Sequence, residues 1–108
     1  MAFNKLSPAE AERLALLLEE LGEAQQAIGK ILRHGYENYH PDFPEISNRD
    51  DLEKEIAHIR HAIYLMEQAK DIDPANNAGY QYSKMVNISK YLHHQSHAVT
   101  GTTQQRGE

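Results

Sequence analysis

The sequence predicts an all-α fold: a helical bundle of three main helices per chain, completed by oligomerisation. Three observations carry that expectation. Apolar residues recur at three- and four-residue steps in three separate segments, the spacing of helices that bury one face. Proline-bearing breaks, "GYENYHPDFPEISN" and "DIDPANN", separate those segments. No β-hairpin pattern, glycine-rich phosphate loop or internal repeat competes with them. A chain of 108 residues suffices for one domain, which reads as residues 1–95. The polar, patternless stretch 96–108 reads as a flexible tail.

The first helix announces its start. "SPAE" sets Ser7 as N-cap, Pro8 at the first helical position and Glu10 at the third, a capping box. Leu14, Leu17, Leu18, Leu21, Ala24, Ile28 and Leu32 continue a core-facing stripe, and Gly35 is the stop signal. Ala15 and Leu16 fall off that stripe and suggest a second apolar surface, to be covered by self-association into a homodimer or homotetramer. Residues 35–48 hold two prolines and three aromatic rings without a period, and so predict a long ordered loop. Ser47 or Asn48 caps the second helix, which runs to about Ala69. Pro74 then breaks the chain. A third helix is expected from about Gly79 to His94, with Gln81, Met85, Ile88 and Leu92 on one side.

Composition excludes several function classes. The formal net charge of −5, with no basic cluster, argues against a nucleic-acid partner held through phosphates. No apolar run approaches the ~20 residues of a membrane span. Without cysteine there is neither a disulfide framework nor a thiolate metal site. A cytoplasmic location is the simplest expectation.

The second helix carries an anomaly. Leu52, Ile56, Ile59, Ile63 and Met66 trace its apolar stripe, and Glu55 falls inside it, between the directions of Ile59 and Ala62. His58 sits at the edge of the stripe, one turn on. A buried ionised carboxylate needs a partner; Arg60 and Lys54 point away from Glu55 around the helix. On the first helix, Glu20 and Glu23 lie one turn apart beside the apolar stripe, where like charges repel unless a cation sits between them. A divalent cation shared by Glu20, Glu23 and Glu55 satisfies all three acids. Hard oxygen ligands on facing helices suit Mg²⁺ or Mn²⁺.

At these residues the chain resembles a known family. "EELGE" (19–23) followed by "EIAH" (55–58) looks like the E-E-x-x-E … E-x-x-D signature of the MazG-like nucleoside triphosphate pyrophosphohydrolases. The resemblance extends through "KILRHG", "SNRDDLEKEI" and "KMVNISKYLHHQ", over about residues 10–95. The family pattern ends in aspartate, usually within "E-x-G-D"; here Ala57 and His58 take those places. An imidazole is a poor Mg²⁺ ligand and a good one for Mn²⁺, Fe²⁺ or Zn²⁺.

The resemblance implies hydrolysis of a nucleoside triphosphate to monophosphate and pyrophosphate, with Glu20, Glu23, Glu55 and His58 as metal ligands. Glu19 would be a spare acid for orienting or deprotonating water, although it faces solvent. Cations for the phosphates are expected in Lys30, Arg33 and Lys84, with Lys90 a further candidate. Asn48, Asn87 and Tyr91 would make neutral hydrogen bonds to sugar or base, and Tyr36, Tyr39 and Phe43 are available to stack. Two other readings remain open. One is a member of the family that binds nucleotide or partner but is catalytically silent. The other is a di-iron carboxylate bundle, since E-x-x-H is also a motif of that class.

Overall fold

The computed structural model describes residues 3–95, and the expected tail, 96–108, lies outside them. The described chain is all-helical: α1 spans Pro8–His34, α2 Asn48–Gln68 and α3 Pro74–Ile88, with a 3₁₀ turn over Ser89–Tyr91. It divides into two compact units, one ending at Asp71 and the other beginning at Ile72.

The first unit is an antiparallel hairpin of α1 and α2. Both helices start from complete capping boxes, Ser7 with Glu10 and Ser47 with Asp50, so two otherwise orphaned amides are satisfied at each start. The covered positions then follow a heptad rhythm of alternating four- and three-residue steps. On α2 they are Asn48, Leu52, Glu55, Ile59, Ala62 and Met66; on α1 they are Arg13, Leu17, Glu20, Ala24, Ala27 and Ile31. Strict 3.5-residue repeats of this kind make a narrow helix–helix seam. Glu20 and Glu55 are members of that seam, and the most buried of its other positions are the small Ala24, Ala27 and Ala62, with Met66 and Asn48.

This revises the expected stripe. Leu14, Leu18, Leu21, Ile28 and Leu32 do not face α2; Leu18 is 73% and Leu32 82% exposed. They form a second heptad line one residue out of step with the first, hence about 100° around the axis. Leu16 is half-buried and Ala15 exposed. Ile56, expected in the α2 stripe, also lies outside the seam and is largely exposed.

Each end of the hairpin is closed by a specific contact. At the loop end, Gly35 stops α1 at φ 90°, a left-handed value that a side chain would strain. Its carbonyl accepts a 3.0 Å hydrogen bond from the Asn48 side-chain amide. The loop is held by Asn48 N–H to Asn38 O (2.8 Å) and Arg49 N–H to Tyr36 O (2.9 Å), and an isolated antiparallel bridge pairs Tyr39 with Ser47. At the open end, Lys70 adopts φ 65° and the amides of Lys70 and Asp71 return to the carbonyls of Glu67 and Met66. That is a Schellman stop with lysine where glycine is usual. It presents Asp71 to Arg13, whose Nε and Nη2 donate to the two carboxylate oxygens at 2.6 and 3.0 Å.

The third helix begins five residues earlier than its expected start at Gly79 and ends at Ile88 rather than His94. Pro74 is its first residue and not merely a break; Asp73 caps it by accepting from the Ala75 amide. Proline at that position costs nothing, because its missing N–H would be unpaired there anyway. None of the residues of α3 is buried.

Candidate metal centre

Two helices bring four side chains to one point. Glu20 and Glu23 come from successive turns of α1, Glu55 and His58 from successive turns of α2. One ligand atom of each lies within 4.8 Å of those of the other three. The seam explains the convergence. Its heptad rhythm turns Glu20 and Glu55 inward toward the same interface.

Glu55 is 8% exposed, and no hydrogen bond reaches its Oε1 or the Oε1 of Glu20, both fully covered atoms. His58 Nδ1 stands 3.3 Å from Glu20 Oε1 and 3.5 Å from Glu55 Oε1, outside hydrogen-bond alignment. Lys54, expected to point away, brings Nζ to 4.0 Å from the other oxygen of Glu55, the outer limit of an ion pair from a largely exposed side chain. Two carboxylates are thus largely removed from water with two oxygens unsatisfied. Leaving such atoms unpaired is costly. Three carboxylates and one imidazole form a hard, mostly oxygen donor set, which suits a divalent cation of the Mg²⁺ or Mn²⁺ kind, the imidazole favouring Mn²⁺. Glu19 is exposed and does not belong to the cluster.

A pocket of about 500 Å³ opens beside the loop, and the candidate phosphate and sugar contacts Lys30, Arg33 and Asn48 all line it. Asn48 is buried, with its amide committed to Gly35. Lys30 and Arg33 are exposed and form no ion pair among the described residues. Arg49, on which sequence reasoning placed no role, pairs with Glu37 at 2.6 Å and covers the Tyr36 ring at 4.3 Å. Tyr36 is thereby occupied, while Tyr39 and Phe43 remain in the pocket wall. Lys84, Asn87 and Tyr91 belong to the second unit. Asn87 donates to the Ser83 carbonyl of its own helix, and Lys90 lies 5.7 Å over the Tyr91 ring.

No protein-family model, curated protein or solved structure matches the chain. No helix among the described residues is long and apolar enough to cross a membrane.

Proposed function

We propose that the protein is a divalent-cation-dependent nucleoside triphosphate pyrophosphohydrolase, adding water across the α–β anhydride bond to give a monophosphate and pyrophosphate. The observation that carries this reading is the pair of buried, unsatisfied oxygens on Glu20 and Glu55, converging with Glu23 and His58 from two helices. The resemblance of "EELGE" and "EIAH" to the MazG-like signature supplies the reaction class. Mg²⁺ or Mn²⁺, when bound, would neutralise phosphate charge and activate water. Glu20 and Glu55 would hold the cation from the covered side and Glu23 from the exposed side. His58 takes the place of the family's aspartate. Lys30 and Arg33 would meet phosphate oxygens as charge-assisted donors, and exposed Glu19 would act on the outer side of the cluster.

Oligomerisation belongs to the same proposal. The outer heptad line of α1, Leu14, Leu18, Leu21, Ile28 and Leu32, has the rhythm of a coiled-coil seam and is open to solvent. A second copy of the chain would cover it, as a homodimer or homotetramer.

One observation favours a second reading. His58 Nδ1 approaches both orphaned carboxylates, so a protonated imidazole would itself serve as their cation. The chain would then bind nucleotide, or a partner, without turnover.

The deciding experiment is pyrophosphate release from ribo- and deoxyribonucleoside triphosphates, with Mg²⁺ and Mn²⁺ in parallel. Turnover by the wild type that disappears in Glu55→Gln is the expected result. Release from no nucleotide with either metal would overturn the enzymatic reading. Turnover appearing only in His58→Asp would establish the silent alternative.

A further inference from the structure

The loop pocket has a composition that phosphate binding does not explain. Its wall includes the rings of Tyr39 and Phe43 and the apolar Pro41 and Ile46. At about 500 Å³ it has the size of a small-molecule site. The loop that builds it is fixed in advance, by the Asn48–Asn38 and Arg49–Tyr36 backbone bonds and by two turns, Phe43 N–H to His40 O and Ile46 N–H to Phe43 O. Both pocket rings are about half exposed. Among the described residues, the ring paired with Phe43 is the tilted His40 imidazole, 6.0 Å away. At the α2 side of the wall stands Asp51, half-buried and without a side-chain hydrogen bond or ion pair among the described residues.

Position along the helices relates this pocket to the acidic cluster. Asp51 precedes Glu55 by one turn of α2, a rise of about 6 Å, and Lys30 follows Glu23 by two turns of α1, a rise of about 10 Å. A nucleotide with its phosphates between the cluster and Lys30 would direct its base into the pocket.

We propose that this pocket holds the base, with Tyr39 and Phe43 stacking on it and Asp51 selecting bases that carry an exocyclic amino group. The assignment rests on the nucleotide reading of the acidic cluster. A carboxylate only accepts hydrogen bonds. It therefore pairs with the amino group of cytosine or adenine and repels the carbonyl oxygen that uracil or hypoxanthine carries at the same ring position. Stacking on Phe43 serves every base alike, because each offers a π-face. Base selection and base affinity are thus assigned to different residues.

The test compares kcat/KM for CTP against UTP and for ATP against ITP, in wild type, Asp51→Asn and Phe43→Ala. Melting curves establish that each variant is folded; one change is isosteric and the other removes a half-exposed loop ring. The wild type is expected to favour the amino-bearing member of each pair by about tenfold, one good hydrogen-bonded discrimination. Asp51→Asn should bring both ratios near unity, and Phe43→Ala should lower all four values by about tenfold while keeping the ratios. Turnover that depends on Glu55 but shows no amino preference, or ratios unmoved by Asp51→Asn, would overturn the pocket assignment and leave the enzymatic reading standing. If no triphosphate is turned over, the same ratios are read from calorimetric binding of CMP, UMP, AMP and IMP. Selective binding lost in Asp51→Asn upholds the pocket without the reaction, and binding of none of the four overturns it.

Discussion

Two groups of carboxylates sit in the same helical hairpin and are treated in opposite ways. At the open end, Asp71 meets the guanidinium of Arg13 with both oxygens, and its side chain is 12% exposed. In the middle of the seam, Glu20 and Glu55 are covered to a similar extent, yet each keeps an oxygen that no donor reaches. The first arrangement is complete within the chain. The second leaves those two oxygens without a hydrogen-bond donor. That contrast, a half-satisfied acidic centre in a hairpin that elsewhere builds a bidentate pair, is the ground of the proposed cation site.

The largest effect should come from breaking the incomplete group. Glu55→Gln removes one inward-facing ligand with little change of shape. Turnover in Mn²⁺ should fall by more than about 100-fold, since even outer-shell partners of metal ligands are worth 10–100-fold. Without metal the same variant should melt at an equal or higher temperature, because a buried charge lacking donors has been neutralised. Thermal melts in chelator, run beside the activity assay, check both halves. Loss of activity together with a large loss of stability would mean that Glu55 is structural.

A second change asks what His58 contributes. His58→Asp makes the donor set all oxygen and should shift preference from Mn²⁺ toward Mg²⁺ by about tenfold in the ratio of activities. Metal titrations of pyrophosphate release read it. An unchanged ratio would place His58 outside the ligand set.

Arg13–Asp71 supplies the smallest and most purely structural effect. The Arg13 hydrogen bonds, together with its charge, hold the Asp71 carboxyl below its ordinary value of 3.8. A carboxyl lowered by folding adds stability that is fully present above the ordinary value and is lost as pH falls through the folded value. Asp71→Asn should therefore melt below wild type at pH 7 and pH 5, and the gap should shrink below pH 4. Turnover per folded molecule should not change. A gap that persists unchanged at pH 2 would show that charge is not what this pair contributes.

Much of this comparison was legible in the sequence, and what was missed has a common cause. The capping box at Ser7 is local chemistry, visible in four residues, and the structure forms it; at the second helix the sequence leaves Ser47 and Asn48 as alternatives, and Ser47 is the cap, with Asp50 completing its box. Glu55 was visible because a charge interrupts an apolar stripe. Glu20 was read as lying beside the stripe, although it occupies a seam position like Glu55. The densest leucine line of α1 is the exposed one, and the seam against α2 is most buried at Ala24 and Ala27, which carry little hydrophobic signal. Hydrophobicity alone does not say which of two adjacent heptad lines meets the partner helix. The start of α3 was missed because Pro74 ends one element and begins another, and only Asp73 before it distinguishes the two. Arg49 over Tyr36 and Arg13 on Asp71 join residues 13 and 58 positions apart in the chain, beyond the reach of periodicity.

The orphaned oxygens of Glu20 and Glu55 are proposed to await a divalent cation. Melting the wild-type chain and Glu55→Gln across a Mn²⁺ titration tests it without reference to any substrate. Binding to the folded state predicts a rise that continues with concentration, about 2.7 kcal/mol at a hundredfold excess over Kd, or roughly 10–20 °C for a hairpin-sized unit. In Glu55→Gln the rise should be mostly lost. A wild-type melting temperature indifferent to millimolar Mn²⁺ and Mg²⁺ would contradict the claim and leave those carboxylates only the neighbouring His58 and Lys54 side chains.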